Sequence, residues 1–130
     1  MIRWFILTSI AIFLYSFSGC EDYPPGKVTI KNASDKVITV EMTAHLATEK
    51  TEELVLKPGQ SKKYEFDRIL TEIVLSVQAW EDYDAGKPLG IKVTRGFEIV
   101  RDDDRVILIK LDGDRIYFEF RSFHSGIFRP

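Results

Sequence analysis

The sequence predicts an all-β protein, a single antiparallel β-sandwich of about 7–9 short strands that follows a brief N-terminal segment. Apolar and polar residues alternate along most of the chain, which is the period of a strand with one buried face. Turn-forming pairs such as Pro58-Gly59 and Asp112-Gly113 separate the alternating segments. Only residues 45–53 have a helix-like composition, and they lack an apolar stripe, so we expect a loop or one helical turn there.

The alternating segments follow one another in order before the C-terminal hairpin. Their apolar positions are Val28 and Ile30; Ile38, Val40, Met42 and Ala44; Leu54 and Leu56; Tyr64 and Phe66; Ile73, Leu75, Val77 and Ala79; Leu89, Ile91 and Val93; and Phe97 and Ile99. A turn over residues 32–35 separates the first two segments. Pro58-Gly59 supplies the central positions of a type II turn. Gly96 is expected to divide the last two segments into separate strands.

The C-terminal hairpin is the clearest unit. Residues 105–111 and 115–121 flank Asp112-Gly113-Asp114. A two-residue type I′ turn at Asp112-Gly113 predicts Ile109 opposite Ile116 and Ile107 opposite Phe118, with all four on one face. Val106 and Leu108 make the first strand of the hairpin apolar on its other face too, which indicates a central strand.

An apolar run opens the chain. Residues 4–15 follow Arg3, and small residues lead to Cys20, the single cysteine. This is the arrangement of a secretory signal peptide. The segment Phe17-Ser18-Gly19-Cys20 resembles the lipobox of bacterial lipoproteins, and the resemblance implies a diacylglycerol on the Cys20 sulfur and cleavage just before it. Two alternatives stay open: an uncleaved membrane anchor, which needs roughly 20 apolar residues, and a plain signal peptide with an unrelated cysteine.

The domain organisation follows from that segment. Residues 1–19 are the predicted signal peptide, residues 20–26 the lipidated cysteine with a Pro-Pro-Gly tether, and residues 27–130 the β-sandwich. Lacking any other cysteine, the exported domain has neither disulfides nor thiolate metal ligands. The acidic Glu21-Asp22 resembles surface-export signals of some Gram-negative lipoproteins, which favours the outer membrane.

Charge narrows the classes of partner. The 130 residues include 18 Lys and Arg against 20 Asp and Glu, interspersed, with a net charge of −2. This balance disfavours binding to nucleic acid and electrostatic adhesion to anionic lipid headgroups. The expected membrane attachment is therefore through the acyl chains on Cys20.

Part of the domain carries a weak resemblance. The segments VTIKNASDKVITVEM and LVLKPGQSKKYEF resemble the opening of many bacterial immunoglobulin-like and transthyretin-like sandwiches. The resemblance implies a fold class and no activity.

Catalytic and metal chemistry find little support. His45 and His124 are far apart in the sequence, and no nucleophile elbow, HExxH motif or phosphate-binding loop is present. We predict no catalytic residues, no cofactor and no metal site. Acidic clusters at residues 81–84 and 102–104 offer the oxygen ligands that calcium takes, but their spacing does not match an EF-hand loop. Because Asp is also favoured in turns, we interpret them as solvated turns.

Two aromatic residues are the candidate binding residues. Trp80 and Tyr83 lie where a strand enters a loop, and Trp80 is out of phase with the buried positions. Such a pair anchors protein partners or stacks on a sugar ring; the alternative is that Trp80 caps the end of the core. Phe123, Ile127 and Phe128 in the C-terminal tail are expected to fold over a sheet edge or, alternatively, to form a docking segment.

The sequence thus favours a non-enzymatic envelope lipoprotein that binds another envelope protein through a sheet edge or through the loop with Trp80 and Tyr83. One alternative is a carbohydrate-binding module that uses the same two aromatic residues. Another is an inhibitor or immunity lipoprotein directed against an envelope hydrolase.

Overall fold

The computed structural model describes residues 24–46 and 48–122. Eight strands fill these ranges: β1 Gly26–Asn32, β2 Val37–His45, β3 Lys50–Leu56, β4 Ser61–Phe66, β5 Leu70–Asp82, β6 Lys87–Val100, β7 Asp104–Asp112 and β8 Arg115–Ser122. The described part has no helix that could cross a membrane. The predicted signal peptide, Cys20, His124 and the apolar tail residues lie outside the described residues.

The strands form two four-stranded sheets packed face to face, which confirms the predicted β-sandwich. Sheet 1 has the order β4-β1-β7-β8, and sheet 2 has the order β3-β2-β5-β6. All pairs are antiparallel except β1 with β7, which run parallel. Parallel neighbours need a long crossover connection, and here the whole of sheet 2 is formed between β1 and β7. The predicted central position of β7 is confirmed, because it lies between β1 and β8.

The core fills the space between the sheets. Along β2 and β5, every second side chain is buried and the residues between them face outward. The fully buried aliphatic side chains come from both sheets: Val28, Ile30, Ile38, Ile73, Leu75, Val77, Ile107 and Ile109. Burying each such side chain stabilises the fold by about 1.5–3 kcal/mol before conformational entropy is subtracted. Two-residue alternation in the sequence thus becomes the two inner faces of the sandwich.

The Pro58-Gly59 turn has the predicted geometry. Gly59 has a φ of +85°, and the N–H of Gln60 donates to the carbonyl of Lys57 at 2.9 Å. A type II turn requires this positive φ at its third residue, where glycine meets no Cβ clash. The turn carries the chain from β3 in sheet 2 to β4 in sheet 1.

The predicted register of the C-terminal hairpin is wrong by two residues. Asp112 pairs with Arg115, so the two turn residues are Gly113 and Asp114. Ile109 is opposite Phe118, and Ile107 is opposite Phe120; Ile116 is opposite Leu111. Of the two turn residues only Gly113 has a positive φ, +67°, which is the pattern of a type II′ turn with glycine first. The predicted common face survives, since a shift of two residues preserves the alternation.

Three other predictions about local structure are wrong. Gly96 does not divide the apolar segments, because β6 runs unbroken from Lys87 to Val100 with Gly96 opposite Val74. Ile91 does not face the core: it is 78% exposed, in an irregular stretch of β6 opposite Gln78. A bulge of this kind pushes the extra residue out of the alternation. In addition, Lys50 to Glu53 belong to β3 rather than to a loop.

Both ends of the described chain lie at one end of the sandwich. Lys27, next to the start of β1, pairs with Asp104, and Ser122 pairs with Arg105. We call this the tether end, and it includes the start of β5 and the end of β6, where Leu70 pairs with Val100. The opposite, distal end carries the turns between β5 and β6 and between β7 and β8.

Candidate functional site

Trp80 and Tyr83 lie together near the distal end of sheet 2. Their rings meet edge to face, with centroids 5.6 Å apart and an interplanar angle of 81°. Alternation along β5 buries Ala79 in the core, so Trp80 projects from the outer face of the sheet. Tyr83 follows in the turn after β5 and is 40% exposed. Trp80 therefore does not cap the core; the two rings form one aromatic feature on the outer surface.

The indole of Trp80 is fixed by a polar contact. Its Nε1–H donates to Oγ1 of Thr39 at 2.9 Å, on the neighbouring strand β2. A half-buried tryptophan normally satisfies its N–H in this way. The bond holds the ring across β2 and β5 and leaves its position defined before any partner arrives.

A cavity of about 380 Å³ lies on the outer face of sheet 2 beside these rings. We call it the outer-face trough. It crosses all four strands of the sheet, and its polar lining includes Thr39 and Glu41 from β2, Glu53 from β3, Ser76 from β5 and Lys92 from β6. Trp80 and Tyr83 form its aromatic wall.

The trough holds two carboxylates that face each other across two strands. Glu41 and Glu53 are directly opposite each other in the β2–β3 pair, and both are exposed. Like charges at opposed positions destabilise a strand pair. Within the described ranges neither carboxylate has a cationic group within 4.0 Å. A cation placed in the trough would relieve this repulsion.

Sequence reasoning did not identify Glu41, Glu53 or Lys92 as site residues. Each occupies an outward position in its strand, which the alternation does indicate. Their meeting depends on the strand order β3-β2-β5-β6, and no local pattern in the sequence encodes that order.

The histidine seen in the structure is far from the trough. His45 ends β2 at the tether end, and its Nδ1 lies 3.1 Å from Oε2 of Glu49. His45 is exposed, as expected for an ordinary surface residue. The structure does not bring it to Trp80 or to Tyr83.

The acidic clusters take part in turns and ion pairs. Oδ1 of Asp82 accepts from the N–H of Ala85 at 3.2 Å, within the turn between β5 and β6. Asp103 pairs with Arg105 at 2.6 Å, whereas Arg101 lies 3.9 Å from Asp67. Among residues 24–46 and 48–122, no group of three or more His, Cys, Asp or Glu side chains is arranged to hold a metal ion.

Comparisons with known proteins add little to this geometry. No protein-family model matches the chain, and no curated protein sequence matches it significantly. Among solved structures, it is similar to a protein from Eubacterium rectale determined by NMR, with 17% sequence identity and a TM-score of 0.49. That similarity covers 78% of this chain and 93% of the other.

Proposed function

We propose that the protein is an envelope lipoprotein, held in the outer membrane by lipid on Cys20, whose β-sandwich is a non-enzymatic module that binds another envelope protein. The observation that carries the proposal is the outer-face trough with its Trp80–Tyr83 wall. Tryptophan and tyrosine are the residues that most often dominate the energy of protein interfaces. The trough lies toward the distal end, away from the tether, where a partner can approach.

A partner could bind in the trough or add a strand to a sheet edge. Features of the edge strands β4 and β6 disfavour strand addition and so favour the trough. β4 exposes Lys62 and Lys63, and charged side chains on an edge oppose strand addition. β6 contains Pro88, which donates no hydrogen bond, and the irregular stretch around Ile91. Arg95 of β6 packs over the ring of Phe97 at 5.0 Å and closes the side of the core.

The charges and apolar area of the trough indicate the chemistry of its partner. Within the described residues Glu41 and Glu53 supply opposed carboxylates that form no ion pair, Lys92 adds one cation on the β6 side, and the aromatic wall supplies apolar area. A partner segment with an arginine or lysine beside an apolar side chain fits both features, because complementary charge gives specificity and apolar burial gives affinity. We therefore expect a basic, partly apolar segment of an envelope protein to occupy the trough.

Photo-crosslinking from the trough tests the proposal. A photoreactive amino acid replaces Tyr83 in the full-length protein, which is irradiated in its own envelope membranes. The matched control places the same amino acid at Tyr117, which is 45% exposed on the outer face of sheet 1, against 40% for Tyr83. We expect a discrete protein adduct from position 83 that is absent from position 117.

The adduct also separates the functional classes. A structural envelope protein as the crosslinked partner supports a scaffold, and an envelope hydrolase supports the inhibitor alternative. Equal adduct patterns from both positions would contradict recognition through the trough. A Cys20→Ala form with the same size and membrane attachment as the wild type would contradict the lipid anchor.

Carbohydrate binding is the second candidate. The observation that favours it is the combination of an aromatic ring with the polar side chains of Glu41, Glu53 and Ser76 in one trough, because sugar rings combine apolar faces with hydroxyl groups. On this proposal Trp80→Ala abolishes retention on a glycan affinity gel while the protein stays folded. A wild-type protein that no envelope glycan retains would remove this candidate.

A further inference from the structure

The tether end of the sandwich exposes an apolar surface. Ile69 is 74% exposed, Leu70 is 48% exposed and Val100 is 43% exposed. Leu70 and Val100 are opposed residues in the β5–β6 pair, and Ile69 and Val100 line one shallow depression. We call these three residues the apolar tip. Contiguous exposed apolar side chains of this kind commonly mark a contact surface.

The loop that follows Val100 connects the apolar tip to the tether by hydrogen bonds. The N–H of Asp102 donates to the carbonyl of Pro24 at 2.9 Å, and the N–H of Arg101 donates to the carbonyl of Ile69, also at 2.9 Å. Asp102 has a φ of +66°, so the loop that makes both contacts turns tightly. Pro24 is therefore held against the loop that follows Val100 and that also contacts Ile69.

The length of chain between Pro24 and Cys20 limits how far the tip can stand from an anchor. Four residues separate the two positions in the numbering, and an extended chain spans at most about 3.6 Å per residue. Pro24 can therefore lie no more than about 14 Å from the α-carbon of Cys20. A lipid on Cys20 would hold the tether end close to the surface of the bilayer.

We propose that the apolar tip contacts the interface of the bilayer that holds the acyl chains of Cys20. This inference rests on the proposed lipid anchor and goes beyond it, because an anchor alone sets a distance and no orientation. With the tip on the membrane, β5 rises from the surface. Trp80, ten residues beyond Leu70, then stands about 33 Å along the strand from the tip. The trough would then open to the side, with Trp80 and Tyr83 at its end farther from the anchoring membrane.

The charges at the tether end define the kind of contact. The exposed carboxylates of Asp67 and Asp102 lie there beside two cations, the exposed Arg68 and Arg101, which is 3.9 Å from Asp67. Because the acidic groups offset the cations, attraction to anionic headgroups does not drive the contact. We expect apolar insertion at the headgroup boundary, and the contact should persist at high salt, where electrostatic adhesion weakens.

An environment-sensitive fluorophore on the tip tests the inference. The full-length, processed protein carries Ile69→Cys labelled with a nitrobenzoxadiazole maleimide and is reconstituted into vesicles of phosphatidylethanolamine and phosphatidylglycerol. The matched control is Asp35→Cys, at an exposed position in the distal turn between β1 and β2. We expect blue-shifted emission from position 69 that spin-labelled lipid quenches, and water-like, unquenched emission from position 35.

The remaining outcomes overturn the proposal in distinguishable ways. Equal, water-like emission from both positions would show that the anchored domain does not rest on its tip. A blue shift at position 69 without quenching by spin-labelled lipid would show that protein covers the tip, either residues 123–130 or a second copy. Maleimide uptake at Cys20 in the protein without an added cysteine would instead contradict the lipid anchor itself.

Discussion

The indole N–H of Trp80 donates a hydrogen bond to the hydroxyl of Thr39 across the β5–β2 pair, at 2.9 Å. The bond fixes the largest side chain of the outer-face trough on a rigid sheet rather than on a loop. A ring that is already positioned loses less conformational entropy when a partner binds. On the proposed function, Thr39 would support recognition by holding the Trp80 ring in place.

We predict that Thr39→Val lowers both stability and binding by modest amounts. Valine keeps the branched shape of threonine but cannot accept the indole hydrogen bond. The free energy of unfolding should fall by about 1 kcal/mol, as measured by urea denaturation. The yield of the Tyr83 crosslink should fall several-fold, because the Trp80 ring is no longer held in one position.

Thr43→Val is the matched control for that substitution. Thr43 lies on the outer face of the same strand, where its hydroxyl is 3.2 Å from that of Thr51. It does not line the trough. Thr43→Val should change stability slightly and leave the crosslink unchanged. An equal loss of crosslinking in both variants would show that Thr39 has no special part in positioning Trp80.

A second prediction concerns Asn32, which is 0% exposed at the end of β1. Its Nδ2 donates to the carbonyls of Lys36 at 2.7 Å and Leu56 at 2.8 Å, and its Oδ1 accepts from the N–H and hydroxyl of Ser34. Asn32→Ala should lower the free energy of unfolding by about 3 kcal/mol, since it removes two Nδ2–H donors and leaves the buried carbonyl of Leu56 without this partner. The midpoint of urea unfolding measures this loss.

Ser34→Ala provides the comparison for Asn32. It removes one partner of the Asn32 carbonyl oxygen and the hydroxyl's contacts with the backbone of Lys36, but leaves both Nδ2 bonds in place. We expect a loss of about 1 kcal/mol. If both variants lost the same stability, the contact between Asn32 and Leu56 would contribute nothing beyond the local turn.

A third prediction separates backbone strain from close packing at two glycines. Gly90 and Gly86 have nearly equal φ values, +70° and +69°. A Cβ on Gly90 would lie 2.0 Å from the carbonyl oxygen of Asp114, whereas a Cβ on Gly86 would meet nothing within 4 Å. Gly86→Ala should cost about 1–2 kcal/mol for the left-handed backbone alone.

Gly90→Ala should cost about 1–3 kcal/mol more than Gly86→Ala, because the turn between β7 and β8 must move away. Thermal and urea unfolding of the two variants measure the difference. Equal losses would mean that β6 and the β7–β8 turn can move apart without a cost in free energy. The contact between Gly90 and Asp114 would then not hold the irregular stretch around Ile91 in place.

The sequence specifies some of these features and leaves others open. Alternation identifies the buried faces of β2 and β5, and the Pro58-Gly59 pair gives its turn, because both signals are local. Local signals do not determine the register of the β7–β8 hairpin. Asp112-Gly113 and Gly113-Asp114 are both acceptable turn pairs, and a shift of two residues leaves every apolar side chain on the same face.

Only part of the candidate site can be predicted from the sequence. Trp80 and Tyr83 are three residues apart, so their proximity follows from one strand end. Glu41 and Glu53 meet them only through the strand order, which depends on long-range pairing. The close approach of Gly90 to Asp114 in the β7–β8 turn is likewise a contact between the two sheets, which no local pattern reveals.

The last prediction concerns Tyr64 and its dependence on pH. Tyr64 in β4 donates its hydroxyl to Oε1 of Glu52 in β3 at 2.8 Å, which joins the two sheets. Burial raises the pKa of Tyr64 well above its ordinary value of 10.0, and the hydrogen bond and negative charge of Glu52 raise it further. Above pH 10 the unfolded chain releases a proton that the folded state keeps, so the stabilisation present at neutral pH is lost as pH rises.

Tyr64→Phe should therefore be slightly less stable than the wild type at about pH 7 and should lose less stability toward about pH 11. Release of one full proton changes the free energy of unfolding by about 1.4 kcal/mol per pH unit. Because the ring is only half-buried, the wild type and Tyr64→Phe should differ in this slope by much less. Urea unfolding across this range measures it, with Tyr117→Phe as the control at an exposed tyrosine. If the wild type and Tyr64→Phe lost stability in parallel as pH rises, ionisation of Tyr64 would make no contribution to the pH dependence of the unfolding free energy.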